Sequence, residues 1–364
     1  MLIEPFILAV AAALSICVAY CASLFAARVG GVLDHPNERS SHTVATPRTG
    51  GIAIFTAWVA GIFVVAVFSE SGVLARDLGF MAVAALAALG VGYADDQIEL
   101  APVWKLVGQI AVATIFVVLF GPLKGFPLPY VGQVELAPLL GVVISIFWIV
   151  AFMNIYNFMD GANGLAAGTA VVGLAWISIM ASFAGAPILG AAALLLALSA
   201  TGFLPENLRR GRLFMGDNGS QVVGFLIAAF AILGANWTES RLSMLFVPII
   251  FSPLVFDVGW TLVSRLIRKQ NILRAHREHL YQLLIRSGVS HANVAIIYMS
   301  LVSLASAAAI LMLALPTSLH WLVPAMTAIC FAVGATVIYK KAYEQGLLAQ
   351  QRSLNPEGAT QPAE

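Results

Sequence analysis

Two adjacent carboxylates, Asp95 and Asp96, follow one of the most apolar stretches of this sequence. The twelve residues 78–89, shortly before this pair, are all apolar or glycine. If the stretch is a helix, both charges lie at its C-terminal end, where the helix dipole disfavours each carboxylate by roughly 0.3–1 kcal/mol. A cation must therefore compensate them, and Lys105, on the next apolar segment, is a candidate.

A second polar group recurs every three residues in the sequence NIYNFMDGANG. Asn154, Asn157 and Asp160 would share one face of the last turns of a helix. Two amides and one acid on that face could supply metal ligands or contacts to a sugar or a base. The alternative is a polar helix end with capping residues.

The sequence FMGDNGS places Asp217 between Gly216 and Asn218 at the start of another apolar segment. A new helix presents free N–H groups and the positive end of its dipole at this point. A carboxylate beside such a helix start suits a Mg²⁺–diphosphate, which needs an oxygen ligand for the metal and N–H donors for the phosphates. The alternative is a glycine turn with an Asn or Asp cap.

His276 and His279 lie in the basic sequence RKQNILRAHREHLYQ. The apolar positions of this segment predict a helix lying along the membrane interface. One interpretation is a cationic wall for phosphate, with Arg274, Arg277 and His279 as donors. The alternative is a membrane-surface helix with incidental histidines.

The elements that position these groups must be transmembrane helices. Hydrophobic residues make up 60% of the chain and charged residues 10%, against about 45–50% and 25% in soluble domains. The sequence predicts about eleven spans in one domain, 1–348, followed by a polar tail, 349–364, expected to be disordered; the spans are 3–27, 50–68, 78–94, 104–120, 138–157, 163–182, 186–204, 219–236, 243–266, 291–315 and 318–339. The first lacks a basic leader region and is interpreted as a retained helix.

Charge distribution predicts the orientation of this all-α bundle. Of 19 Lys and Arg residues, all but Arg76, Lys124 and Arg241 fall on one side of the predicted topology. Excess positive charge marks the cytoplasmic side, so the N-terminus is expected outside and the C-terminus inside. The loops rich in Asp, Asn and His fall on this same cytoplasmic side, although Asp and Asn played no part in the assignment. On the outer side, residues 121–138 are expected to form a small hairpin.

The candidate functional charges cluster at one membrane face, which favours phosphoryl transfer at the lipid surface over transport. A transporter usually holds its charges near the midplane, on broken helices. Asp257 is the one deep acid, and it is either functional or part of a structural pair. Pro248 and Pro253 are expected to break its helix. A membrane transporter with gating loops and a lipid-diphosphate phosphatase remain the alternatives.

Together, the polar loops resemble those of the polyprenyl-phosphate N-acetylhexosamine-1-phosphate transferases, over nearly the whole membrane part of the chain. The resemblance implies a bundle of ten or eleven helices in the bacterial inner membrane, with its active site at the cytoplasmic face. It implies transfer of a sugar phosphate from a UDP-N-acetylhexosamine to undecaprenyl phosphate, with Mg²⁺ as cofactor and Mn²⁺ as a substitute. A homodimer is implied, and no nucleic-acid partner is expected.

The same resemblance assigns roles to individual residues. The paired acids are expected to act on the lipid phosphate, Asp217 to bind the metal, and Phe214 to pack on uracil. The expected catalytic set is Asp95, Asp96, Lys105, Asp160 and His279. The expected metal ligands are Asp217 and Asn157. The expected substrate-binding set is Arg48, Asn154, Asn163, Asn207, Phe214, Arg274, His276 and Arg277.

Two positions depart from the family pattern. Asn163 stands where the family usually has a second acid, in DGANG rather than DGxDG, and His279 is followed by Tyr281 and Gln282 instead of further histidines. The N-terminal loop resembles the O-antigen and capsule-initiating branch. That branch suggests UDP-N-acetylglucosamine or a 6-deoxy relative, such as UDP-N-acetylfucosamine, as donor. A phosphatase would leave a nucleotide-like pocket at Phe214 and Asn163 unexplained.

Overall fold

The computed structural model describes residues 3–34, 45–69, 71–208, 211–237, 241–271 and 276–348. Its helices are α1 (Pro5–Val29), α2 (Gly50–Val67), α3 (Gly72–Ile98), α4 (Pro102–Phe120), α5 (Pro138–Met159), α6 (Leu165–Phe183), α7 (Pro187–Leu208), α8 (Gly216–Asn236), α9 (Phe246–Ile250), α10 (Ser252–Ile267), α11 (Leu280–Arg286), α12 (His291–Ala314) and α13 (Leu322–Glu344). The strands are β1 (Leu33–Asp34), β2 (Thr46–Pro47), β3 (Gly125–Leu128) and β4 (Gly132–Glu135).

Ten helices in the described part of the chain are long and apolar enough to cross a membrane, which confirms an all-α polytopic membrane protein. The ninth predicted span, 243–266, is divided into α9 and α10 at Phe251. Pro253 lies in the first turn of α10, a position that tolerates its missing N–H, whereas the interior of a continuous helix does not. The predicted break in this segment is therefore confirmed.

Helix α8 is the centre of the bundle. In its most apolar window, 89% of the residues are buried, against 22% in α1 and in α4. The bundle packs α3, α5 and α2 around α8. Large apolar side chains on the outer helices, such as Phe63 and Phe147, are exposed, as expected for a surface in contact with lipid. The polar start of α8 is thereby fixed among its neighbours.

Two glycines allow the backbones of α2 and α3 to touch the start of α8. A Cβ on Gly92 of α3 would lie 2.3 Å from the carbonyl oxygen of Asp217. A Cβ on Gly51 of α2 would lie 2.2 Å from the Cα of Gly219. Neither contact is compatible with a side chain, so these glycines set the distance between the helices that carry the acidic residues.

The predicted hairpin at residues 121–138 is present, at the end of the bundle opposite the acidic residues. Strands β3 and β4 pair antiparallel, with Phe126 opposite Val134. The Tyr130 N–H donates to the carbonyl of Ser318 at 3.0 Å, which fastens the hairpin to the start of the last span.

The predicted interfacial helix is shorter than expected. Helix α11 begins only at Leu280, and His276, Arg277 and Glu278 are not helical. The expectation that His276 and His279 share a helix is therefore wrong, because the backbone turns into the helix after His279. Arg274 and the tail 349–364 lie outside the described residues.

Candidate active site

Lys105 is the cation that compensates the acid at the end of α3. Its Nζ lies 2.6 Å from Oδ2 of Asp95 and 2.5 Å from Oδ2 of Asp217. It also donates to Oδ1 of Asn157 at 3.2 Å, while the Asn157 amide donates to Asp217 Oδ1 at 2.7 Å. Four helices, α3, α4, α5 and α8, therefore bring these polar groups to one point.

Asp96 points instead to the start of α8. Only 5% of this residue is exposed. Its carboxylate accepts from the Asp217 N–H at 3.1 Å, the Asn218 N–H at 2.9 Å and the Asn218 amide at 2.6 Å. The N–H groups at the start of α8, which were expected to bind a diphosphate, therefore donate to Asp96 instead. A carboxylate at a helix N-terminus is favoured by the dipole, so Asp96 joins α3 to α8.

Arg48 completes this junction. Its guanidinium lies 2.6 Å from Asp34 and 3.6 Å from Asp96. Its carbonyl accepts from the Asn218 amide at 2.7 Å. The segment around it is held to the loop before α8, since the Phe214 N–H donates to the carbonyl of Pro47 at 2.8 Å. In this conformation Arg48, an expected substrate ligand, is engaged in internal ion pairs.

Asp160, at the C-terminal end of α5, has no hydrogen-bond partner for its side chain within the described residues. Partial burial raises its pKa well above the ordinary value, and the charges of Asp217 and Asp96 raise it further. An unpaired carboxylate beside other acids is suited to take up a cation or a proton.

The residues present fit a divalent cation by their chemistry. Carboxylate and amide oxygens, the ligands that Mg²⁺ prefers, are supplied by Asp217, Asp160, Asp95 and Asn157. No three acidic, imidazole or thiol groups among the described residues already surround one point as a closed metal site. The ammonium of Lys105 lies between Asp95 and Asp217, so a cation bound by both acids would require Lys105 to move.

Asn163 and Phe214 converge beside Gly211. A Cβ on Gly211 would lie 2.8 Å from Cε1 of Phe214 and 3.0 Å from Nδ2 of Asn163. Asn207 supports both loops, because its Oδ1 accepts from the Gly164 N–H at 2.7 Å and its amide donates to the Leu213 carbonyl at 3.0 Å. An aromatic ring and an amide next to each other are suited to a base or a sugar.

Asn154 lies one turn deeper in α5 than Asn157. Its amide donates to Gln109 Oε1 at 2.7 Å and to the Val150 carbonyl at 2.8 Å. Gln109 in turn donates to Gln221 Oε1 at 3.0 Å. This chain of amides links α4, α5 and α8, and sequence reasoning did not single out the two buried glutamines. Their location inside apolar spans was the signal that could have found them.

Residues 276–279, here called the histidine loop, and the start of α11 contact the C-terminal end of α5. His279 is 5% exposed, and its ring stacks on that of Phe158 at 5.9 Å between centroids. The Tyr281 hydroxyl donates to the Phe158 carbonyl at 3.1 Å. His279 therefore contacts Phe158, two positions before Asp160 in the chain.

His276 is neutral at physiological pH. Burial lowers its pKa to about 4, and His279, Arg265 and Arg268 lower it further, whereas Asp257 acts in the opposite direction. His276 would therefore add no positive charge to a cationic wall at this face. The backbone carbonyl of Arg277 accepts from the Arg286 guanidinium at 3.1 Å.

Glu278, also missed by sequence reasoning, is 1% exposed. It pairs with Arg268 and, at 3.3 Å, with Arg265. This buried ion pair joins the histidine loop to α10.

Comparison with known proteins places these residues in a family. The model of Glycosyl transferase family 4 matches residues 78–235. A protein of Bacillus subtilis named "Probable undecaprenyl-phosphate N-acetylglucosaminyl 1-phosphate transferase" is 30% identical over 74% of this chain and 74% of its own length. The "Decaprenyl-phosphate N-acetylglucosaminephosphotransferase" of Mycobacterium tuberculosis is 29% identical over 75% of this chain and 74% of its own length.

A third relative is the "Phospho-N-acetylmuramoyl-pentapeptide-transferase" of Staphylococcus saprophyticus, 30% identical over 52% of this chain and 63% of its own length. All three are named as transferases of a sugar phosphate. The matched residues 78–235 contain the helix ends that meet at Lys105 and Asp217. This chain belongs to the polyprenyl-phosphate N-acetylhexosamine-1-phosphate transferases of glycosyl transferase family 4.

Proposed function

We propose that this protein transfers N-acetylhexosamine-1-phosphate from a UDP-sugar to undecaprenyl phosphate, releasing UMP. An oxygen of the lipid phosphate attacks the phosphorus that carries the sugar, and the bond from that phosphorus to the UMP oxygen breaks. The observation that carries the proposal is the convergence of Asp95, Lys105, Asn157 and Asp217 at one end of the helices. Phosphoryl transfer depends on such positioning and charge neutralisation.

The acids and Lys105 have different proposed roles, according to their positions in the site. The lipid phosphate is already mostly ionised near pH 7, since its second pKa is about 6, so Asp95 positions it and accepts any remaining proton. Lys105 neutralises charge between substrate and acids. Asp217, Asn157 and Asp160 would hold Mg²⁺, or Mn²⁺ in its place, and the bound metal supplies charge neutralisation at the diphosphate. Asp96 and Arg48 hold the start of α8 in place.

Phe214 and Asn163 are proposed to contact uracil and the sugar, and Arg274, Arg277 and His279 the phosphates. UDP-N-acetylglucosamine is the first donor to test, because the relatives from B. subtilis and M. tuberculosis are named for that sugar. UDP-N-acetylfucosamine and UDP-N-acetylquinovosamine follow. We further propose that the reaction starts an O-antigen-like polysaccharide at the cytoplasmic face of the inner membrane, and that the protein is a homodimer there.

The proposal is tested by UMP release from purified protein in detergent, with a panel of UDP-N-acetylhexosamines. We expect UMP only when undecaprenyl phosphate and Mg²⁺ are both present, and loss of all activity in Asp217→Ala. Asp77→Asn is the matched control, since this exposed acid lies at the other end of α3. Release of UMP without lipid would mean hydrolysis and overturn the transfer. Normal turnover in Asp217→Ala would remove that acid from the site.

A further inference from the structure

Asp257 is an acid buried inside the interrupted span, and the proposed reaction does not use it. It lies in α10 and none of it is exposed. A lone carboxylate in this environment would be expensive, yet several donors surround it. The Leu280 N–H donates to Oδ1 at 2.8 Å, and the Tyr281 N–H donates to Oδ2 at 3.1 Å. The Tyr298 hydroxyl donates to Oδ2 at 2.5 Å.

One further partner of this carboxylate is the ring of His279. Its Nδ1 lies 3.2 Å from Oδ1 of Asp257. A carboxylate beside Nδ1 selects the tautomer with the proton on Nδ1. The other ring nitrogen, Nε2, is then the one that remains for a ligand. Stacking on Phe158 and Tyr281 fixes the plane of the same ring.

Other residues already anchor the histidine loop. Glu278 ties it to α10 through Arg265 and Arg268, and Tyr281 ties it to α5 through the Phe158 carbonyl. The contact from Asp257 to Nδ1 adds no further link between elements, because Asp257 already accepts from the backbone of Leu280 and Tyr281. Its specific effect is on the orientation and tautomer of the imidazole.

We propose that Asp257 is a positioning residue that accepts from Nδ1–H of His279 and thereby turns Nε2 toward the nucleotide substrate, where Nε2 donates to an anionic oxygen when the ring carries its second proton. The inference rests on the proposed function for the identity of that substrate. The orientation of the ring by Asp257, in contrast, belongs to the protein alone and can be measured without turnover.

The first test is the ring of His279 observed by nitrogen NMR of protein labelled with ¹⁵N-histidine, its signals identified by their loss in His279→Gln. We expect the tautomer protonated on Nδ1 in the wild type, and a mixture of tautomers or a proton on Nε2 in Asp257→Asn. Tyr298→Phe is the matched control, because it removes another partner of Asp257 and leaves the imidazole contact. An unchanged ring signal in Asp257→Asn would overturn the proposal, whether or not the protein releases UMP.

The second test is a double-mutant cycle on UMP release. In metal sites, loss of a partner that orients a ligating histidine typically costs about 10–100-fold. We expect a fall of about this size in kcat for Asp257→Asn, with partial rescue in Asp257→Glu. In the His279→Gln background, Asp257→Asn should have little further effect on kcat, because the positioned ring is already gone. Equal losses of kcat in both backgrounds would mean that Asp257 acts only through the fold.

Thermal unfolding of the same variants separates folding from positioning. Asp257→Asn keeps a carbonyl oxygen for the backbone N–H groups of α11, so it should remain folded with a lowered melting temperature. That decrease should be similar in the wild-type and His279→Gln backgrounds, whereas the effect on kcat should differ between them. If no variant releases UMP from any donor, the proposed function fails, and the NMR result still decides the role of Asp257.

Discussion

Asp95 and Asp96 are adjacent in sequence but perform different tasks. Asp95 faces Lys105 and accepts from the Leu100 N–H at 2.8 Å. Asp96 is bound to the start of α8. On a helix, adjacent side chains are separated by about 100° around the axis, so one residue reaches the polar cluster and the other reaches the neighbouring helix. The side chain of Asp95 is 11% exposed, whereas that of Asp96 is 1% exposed.

Variants of the two acids should therefore fail in different ways. Asp96→Ala leaves two N–H groups at the start of α8 without their acceptor, while Arg48 keeps its ion pair with Asp34. We therefore expect a loss of about 1–3 kcal/mol in the free energy of unfolding for each N–H group left unpaired. Asp95→Asn should lower kcat while UDP-sugar binding and the melting temperature are largely kept. Thermal unfolding and nucleotide titration measure the two effects. An Asp96→Ala protein as stable as the Asp77→Asn control would contradict the capping role.

His276 should make the protein sensitive to acid. Its folded-state pKa of about 4 is below the ordinary 6.5, so the folded protein favours the neutral ring. As the pH falls from 6.5 to 4, the unfolded chain binds a proton that the folded chain does not, and stability decreases. We expect the melting temperature of His276→Gln to fall less than that of the wild type over this range. Identical pH profiles would show that His276 is not buried in this environment.

At the scale of elements, the site depends on how closely α3 approaches α8. Gly92→Ala places a methyl group 2.3 Å from the carbonyl oxygen of Asp217, which is too close for the two to fit. We expect a cost of about 1–3 kcal/mol from overpacking, together with a loss of activity, because the displaced backbone carries Asp217. Gly90→Ala is the control on the same helix, since nothing lies within 4 Å of its added Cβ.

Melting temperature and UMP release measured on both glycine variants test this contact. The control should match the wild type in both, or be slightly more stable, because alanine is favoured over glycine within a helix. If Gly92→Ala and Gly90→Ala behaved alike, the helices would not be in contact at this point.

At the scale of the whole molecule, the distribution of positive charge predicts the orientation in the membrane. The hairpin residue Tyr130 is 83% exposed and Tyr343, at the end of α13, is 74% exposed. We expect a membrane-impermeant maleimide to label Tyr130→Cys in intact cells and Tyr343→Cys only after permeabilisation. Because Cys17, Cys21 and Cys330 are exposed, both variants require a background in which these are replaced by serine. The reverse pattern would invert the predicted topology.

The class of the protein and most of its helices could be predicted from local properties of the chain. Long runs of apolar residues must form helices in lipid, since each backbone polar group needs a partner within its own segment. The break at Pro253 and the hairpin at residues 125–135 followed from the local preferences of proline, glycine and strand residues. The polar loops also carried the family resemblance, because their residue types and order are local properties of the chain.

The partner of each polar residue, in contrast, depends on how the helices pack and could not be predicted from local sequence. Asp96 and the N–H groups of Asp217 and Asn218 are far apart in sequence, and no local pattern predicts that one binds the other. The partners of Asp257 are likewise set by the packing of α10 against α11 and α12. Spacing along a chain fixes which face of a helix a residue occupies, whereas the neighbour at that face depends on how the helices pack together.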